Sequence, residues 1–220
     1  MGAIIRLDER HARAYVAEPD GPTRGCVLVV HDAYGLQPHL RFLCDELAGA
    51  GFVAVAPDLF AGSVACSDAQ ASRLLEELTA ERAGRVLHAA LRAFDTLGHS
   101  DCPHGAVGFS IGAEFAFGLL AEGHLQALVA YDGMPPEEHR DAIAAPLLLH
   151  WAGTDHWDDD CAPDRLVTDL HARAVDVDSH TYPGVVHGFG NADIDAFDLG
   201  AAEQAWERTV RFLADRLSHG

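Results

Sequence analysis

Five short, almost unbroken apolar runs constrain this chain most: Gly25–His31 (GCVLVVH), Phe52–Pro57 (FVAVAP), Gly105–Ser110 (GAVGFS), Ala127–Asp132 (ALVAYD) and Pro146–Trp151 (PLLLHW). Each has strand length and lacks the in-out alternation of a half-solvated strand, so both faces must be covered. Helix-period stretches separate them: His39–Ala50, Ala71–Leu97, Ile111–Glu122 and Asp164–Ala172. Gly51, Gly98 and Gly123 follow the first three, as suits a left-handed helix exit. Near the end, Trp206, Val210, Leu213 and Leu217 recur at helical spacing and predict a docking helix over Ala201–Leu217. Val16 and Thr181 mark weaker strands near the two ends. The expected fold is α/β, a doubly wound and mostly parallel sheet. No composition break divides residues 1–220, so one domain is expected.

Sheets of this kind place their working site at the carboxyl ends of the strands. The runs stop at His31-Asp32, Asp58, Ser110, Asp132-Gly133, Gly153-Thr154-Asp155 and the Gly184–His187 turn. Within Gly108-Phe109-Ser110-Ile111-Gly112, a G-x-S-x-G follows a strand and opens a helix, which is the setting of a nucleophile elbow. The bland alternative is a tight strand-to-helix turn with an N-capping serine. Serine needs a base to take its proton, and the base needs an acid to orient it. In such sheets the chain order is nucleophile, acid, base. Asp155 lies 45 residues after Ser110 and His187 another 32 on, about one strand-helix unit each. His156 is the rival base, Asp158, Asp159 and Asp160 the rival acids. His31 and His150 sit inside strand runs and are expected to be buried. For a developing oxyanion, the backbone N–H groups of Ile111 and Ala33 are the candidate donors.

Charge narrows the chemistry. The 34 Asp and Glu outnumber 15 cations, all of them arginine, for a net charge of −19. Nucleic acid and anionic membranes are poor partners for such a chain. Without lysine, a P-loop and Schiff-base chemistry are excluded. Met1–Asp20 has no continuous apolar segment and no run approaches a membrane span, so a soluble protein without a signal peptide is expected. Five scattered cysteines without a C-x-x-C pair read as small core residues in a reducing cytoplasm.

The pieces VVHDAYGL (29–36), GFVAVAPDLF (51–60), GAVGFSIGAEFA (105–116), GTDH (153–156) and YPGVVHGF (182–189) together resemble the dienelactone hydrolase family of α/β-hydrolases, over nearly the whole chain. The resemblance implies an α/β-hydrolase fold without a large cap and hydrolysis of an ester or lactone. Three departures stand out. Enzymes of the family that open dienelactone use cysteine where Ser110 stands. Asp32 occupies the position of a family glutamate near the nucleophile. The two arginines that hold a substrate carboxylate match Asn191 and, in a poorly matched segment, Arg73.

The resulting expectation is a Ser110-His187-Asp155 hydrolase that forms an acyl-enzyme and needs neither metal nor organic cofactor. The 155–160 segment (DHWDDD) reads as a solvated loop rather than a metal site. Its partner would be a small neutral, hydrophobic molecule in a pocket lined by Tyr34, Phe60, Trp151, Trp157, Met134 and Phe189, and the protein a monomer or homodimer. Non-hydrolytic acyl transfer or cyclisation on the same triad, and a non-catalytic binding module, remain the alternatives.

Overall fold

A computed structural model describes residues 1–7, 12–155 and 162–217. Along the chain run β1 (Ala3–Arg6), β2 (Arg13–Ala17), β3 (Gly25–Val30), α1 (Pro38–Gly49), β4 (Phe52–Pro57), α2 (Asp68–Glu77), α3 (Ala80–Thr96), β5 (His104–Phe109), α4 (Ile111–Ala121), β6 (Ala127–Tyr131), β7 (Leu147–Thr154), α5 (Pro163–Ala172), β8 (Val177–Val186) and α6 (Leu199–Leu217), with a 3-10 turn at Glu137–Ala142. The strands form one eight-stranded sheet in the order β1-β2-β4-β3-β5-β6-β7-β8. The β1–β2 and β2–β4 pairings are antiparallel, and every pairing from β4 to β8 is parallel. No cap domain interrupts the described residues.

The unbroken apolar runs have the predicted cause. In β3, Cys26, Leu28 and Val30 face a core closed by Val86, Leu87, Ala90 and Phe94 of α3 and Ala116 and Phe117 of α4. Val27 and Val29 face the opposite core with Leu40, Cys44 and Leu47 of α1 and Ala205, Leu213 and Leu217 of α6. Each large side chain so buried contributes about 1.5–3 kcal/mol against the entropy of ordering it. His31 and His150 are fully buried. The His31 Nδ1 donates to the Asp32 carbonyl at 2.6 Å while its Nε2 accepts from the Leu59 N–H at 3.1 Å, so this ring fastens β3 to the loop after β4.

Three expectations are corrected. The helix expected over Ala71–Leu97 is two helices, because Leu78 is extended and Thr79 starts a new one, its hydroxyl accepting the Arg82 N–H at 3.2 Å. The buried stripe of α6 is turned by about one residue from the expected one: Ala201, Ala205, Thr209 and Phe212 join Leu213 and Leu217, while Trp206 and Val210 lie half-buried. Cys26 and Cys44 are buried as core residues should be, but Cys66 is exposed. Cys161 lies outside the described residues.

Candidate active site

Strand β5 delivers Ser110 into a turn that only small neighbours permit. Its φ of 52° and ψ of −121° are unfavourable for a residue with a Cβ. A Cβ on Gly108 would lie 2.6 Å from the Ala113 nitrogen, and one on Gly112 would lie 2.5 Å from the His31 carbonyl oxygen. The two glycines of the G-x-S-x-G are therefore required sterically, and the serine is held between β5 and α4. The Ser110 N–H donates to the Tyr131 carbonyl at 2.7 Å, tying the turn to β6.

The Ser110 Oγ lies 2.8 Å from the His187 Nε2, and the His187 Nδ1 lies 2.8 Å from the Asp155 Oδ2. Asp155 follows β7, and His187 follows β8. A carboxylate can only accept, so Nδ1 carries the proton and Nε2 presents its lone pair to the serine hydroxyl. Burial alone would depress the imidazolium. The hydrogen bond to Asp155 and the charges of Asp132, Asp155 and Asp32 outweigh it, and the His187 pKa is raised.

Asp132, which sequence reasoning noted only as a strand end, is built into the same site. It sits in left-handed backbone at φ 47° and is almost fully buried. Its Oδ1 accepts the Ala152 N–H at 2.6 Å and its Oδ2 accepts the Gly188 N–H at 2.9 Å. One carboxyl thus bridges β7, which leads to Asp155, and the turn beside His187. Burial raises its pKa to about 6, despite the opposing hydrogen bonds. The available signal was its place at the end of β6, between β5, which leads to Ser110, and β7, which leads to Asp155.

A match to the model of the dienelactone hydrolase family spans residues 12–217, nearly the whole chain. The chain belongs to the dienelactone hydrolase family. A carboxymethylenebutenolidase of Pseudomonas putida is 27% identical over 96% of this chain and 94% of its own, and the protein usf of Aquifex pyrophilus is 27% identical over 99% and 100%. Among solved structures, a dienelactone hydrolase-like promiscuous phosphotriesterase from metagenomic libraries superposes with a TM-score of 0.83 at 20% identity, covering 100% of this chain and 99% of that one. That likeness shows the shared α/β-hydrolase fold.

Above Ser110 this dienelactone hydrolase family member has a cavity of about 770 Å³. Much of its wall comes from two segments that strand-end reasoning missed: residues 65–69, which run from the loop after β4 into α2, and residues 188–196, which follow His187. Of the expected lining residues, Tyr34 is in place, its hydroxyl donating to Asp68 at 2.5 Å. Phe60, Trp151 and Phe189 are not lining residues. Phe60 packs on His31, Trp151 is buried with its indole N–H on Ser179 at 3.0 Å, and Phe189 is sealed between Tyr131 and Tyr182. Trp151, on β7, stands perpendicular to the sheet and so enters one core, while the turns after β4 and β8 direct Phe60 and Phe189 into the two cores. Met134 packs against the core as well. Trp157, His156 and Asp158–Asp160 lie outside the described residues.

Among the described residues, four carboxylates line the cavity: Asp32, Asp68, Asp193 and Asp195. No arginine lines it among the described residues, and Arg73 stands exposed on α2. Asn191 is buried there, its amide donating to Asp32 at 2.7 Å and to Gln37 at 2.9 Å. Asp32 also accepts the Tyr34 N–H at 2.8 Å, which fixes the loop carrying Ala33. Ala33 lines the cavity. The Ile111 N–H belongs to the first turn of α4, where amides have no helical carbonyl before them. Cys66 is a further lining residue that the even spread of cysteines gave no reason to single out.

Proposed function

We propose that this protein hydrolyses a carboxylic ester or lactone through an acyl-enzyme on Ser110. The observation that carries the reading is the continuous Ser110-His187-Asp155 hydrogen-bonded path, 2.8 Å at each step, at the floor of the cavity. Ser110 Oγ attacks the carbonyl carbon as His187 Nε2 takes its proton, and Asp155 stabilises the imidazolium. The Ile111 and Ala33 amides receive the oxyanion, with the N-terminus of α4 adding its dipole. The imidazolium then protonates the departing alkoxide. Water attacks the acyl-enzyme with His187 as base, releasing the acid and restoring Ser110. Relatives named carboxymethylenebutenolidase support an ester or lactone as the bond that is cleaved.

Substrate charge follows from the walls. A cavity carrying four aspartates repels an anionic ligand. The aromatic lining that favoured a hydrophobic substrate is reduced, among the described residues, to Tyr34 and Phe109. The reading therefore rests on charge: neutral or cationic esters are preferred to carboxylates. A fluorophosphonate probe is expected to label Ser110, and Ser110→Ala is expected to abolish labelling and lower p-nitrophenyl ester turnover by about 10⁴-fold or more. Full turnover in Ser110→Ala would overturn the assignment.

A further inference from the structure

Away from the cavity, two histidine rings converge on one carboxylate oxygen. His88 on α3 directs its Nε2 at the Glu122 Oε2, 2.9 Å away, and His124 directs its Nε2 at the same oxygen from 3.3 Å. The two rings meet edge to face, with centroids 5.3 Å apart. The other ring nitrogen of His88 is already committed: Nδ1 lies 2.8 Å from the Gly84 carbonyl oxygen, which can only accept, so the proton is on Nδ1. On a neutral ring the Nε2 lone pair then faces a carboxylate lone pair. The contact becomes favourable only with a second proton on the ring or a cation between ring and carboxylate.

We infer that His88, Glu122 and His124 form a binding site for a borderline divalent transition metal such as Zn²⁺, separate from the hydrolytic centre. The donor atoms all lie within 4.8 Å of one another. Bond lengths near 2.0–2.2 Å in a tetrahedron place donors about 3.3 Å apart, so only small side-chain shifts separate this cluster from a coordination shell. The Nδ1 bond to Gly84 supplies what metal-bound histidines regularly have, an outer partner that fixes tautomer and ring orientation.

The backbone prepares the other two ligands. Gly123, at φ 82°, turns the end of α4 so that its N–H reaches the Leu120 carbonyl at 2.9 Å and the His124 N–H reaches Leu119 at 3.0 Å. This paired closure holds Glu122 and His124 on either side of the glycine. The negative end of the α4 dipole favours a cation there. All three side chains are between a third and a half exposed, so water completes the shell and the ion enters freely. An ion here would clamp α3 to the end of α4 opposite Ser110.

The test is calorimetric titration of Zn²⁺ into the EDTA-treated full chain, with Cu²⁺ electron paramagnetic resonance on the same samples and melting curves beside both. One site is expected, with two nitrogen couplings and a rise in Tm of about 5–10 °C at a hundredfold excess over Kd. His124→Ala and His88→Gln should each weaken binding at least tenfold, remove a nitrogen coupling and leave ester turnover without metal unchanged. Glutamine keeps the helix propensity of α3, so its circular dichroism should match the parent. No saturable binding in the parent, or undiminished binding in both variants, would overturn the inference.

Discussion

Two aspartates outside the Ser110-His187-Asp155 hydrogen-bonded path, Asp132 and Asp32, raise the His187 pKa by their charge. On the proposed mechanism His187 is the general base and must be unprotonated, so its raised pKa moves the acidic limb of kcat/KM upward from the usual histidine range. Asp32 contributes by charge, favouring the imidazolium from the cavity wall. Asp32→Asn removes that charge, lowers the His187 pKa and shifts the acidic limb to lower pH. A pH profile of kcat/KM checks it, and an upward shift would contradict it. Asp132 contributes by tethering as well as by charge. Asp132→Ala leaves the Ala152 and Gly188 N–H groups without their acceptor and puts alanine at φ 47°. The expected cost is about 1–3 kcal/mol in urea denaturation, with kcat reduced because the turn beside His187 loses its anchor.

At the scale of elements, the elbow joins stability to chemistry. A Cβ at Gly112 would sit against the carbonyl oxygens of Val30 and His31, backbone atoms at the end of β3 and just beyond it that cannot swing aside. Gly112→Ala should therefore cost about 1–3 kcal/mol or more and depress activity together with Tm, whereas a surface glycine such as Gly21, with open space around it, should tolerate alanine. Paired melting curves and ester assays separate the two. The parallel strands, the elbow and the order of Ser110, Asp155 and His187 were legible because continuous apolar runs end abruptly in polar residues. The α2–α3 break was hidden by uninterrupted helical periodicity across Leu78, although Thr79 is a good N-cap. The acidic part of the cavity wall was not legible, since the loop after β4 that brings Asp68 at the start of α2 to the site, and the loop carrying Asp193 and Asp195, have no regular period. Phe60, Trp151 and Phe189 were misassigned because proximity to strand ends says nothing about which way a ring points.

For the whole molecule, the net charge of −19 and the four cavity carboxylates act in the same direction. A cleft lined by one sign of charge focuses the field of the surface, so encounter and binding of an ion should both depend on its sign. A matched ester series, alike in shape and bearing a trimethylammonium, a tert-butyl or a carboxylate group remote from the scissile bond, should give kcat/KM values falling from the first to the last. At low ionic strength the anionic ester is expected to be at least about tenfold poorer than the neutral one, corresponding to roughly 1.4 kcal/mol of unfavourable interaction. At 1 M salt, where the screening length falls to about 3 Å, the gap should narrow. Asp68→Asn and Asp195→Asn, on the exposed part of the wall, should each raise the anionic substrate's kcat/KM while leaving the neutral one nearly unchanged. Equal kcat/KM for the anionic and neutral esters at low salt would show that the acidic wall does not select substrate.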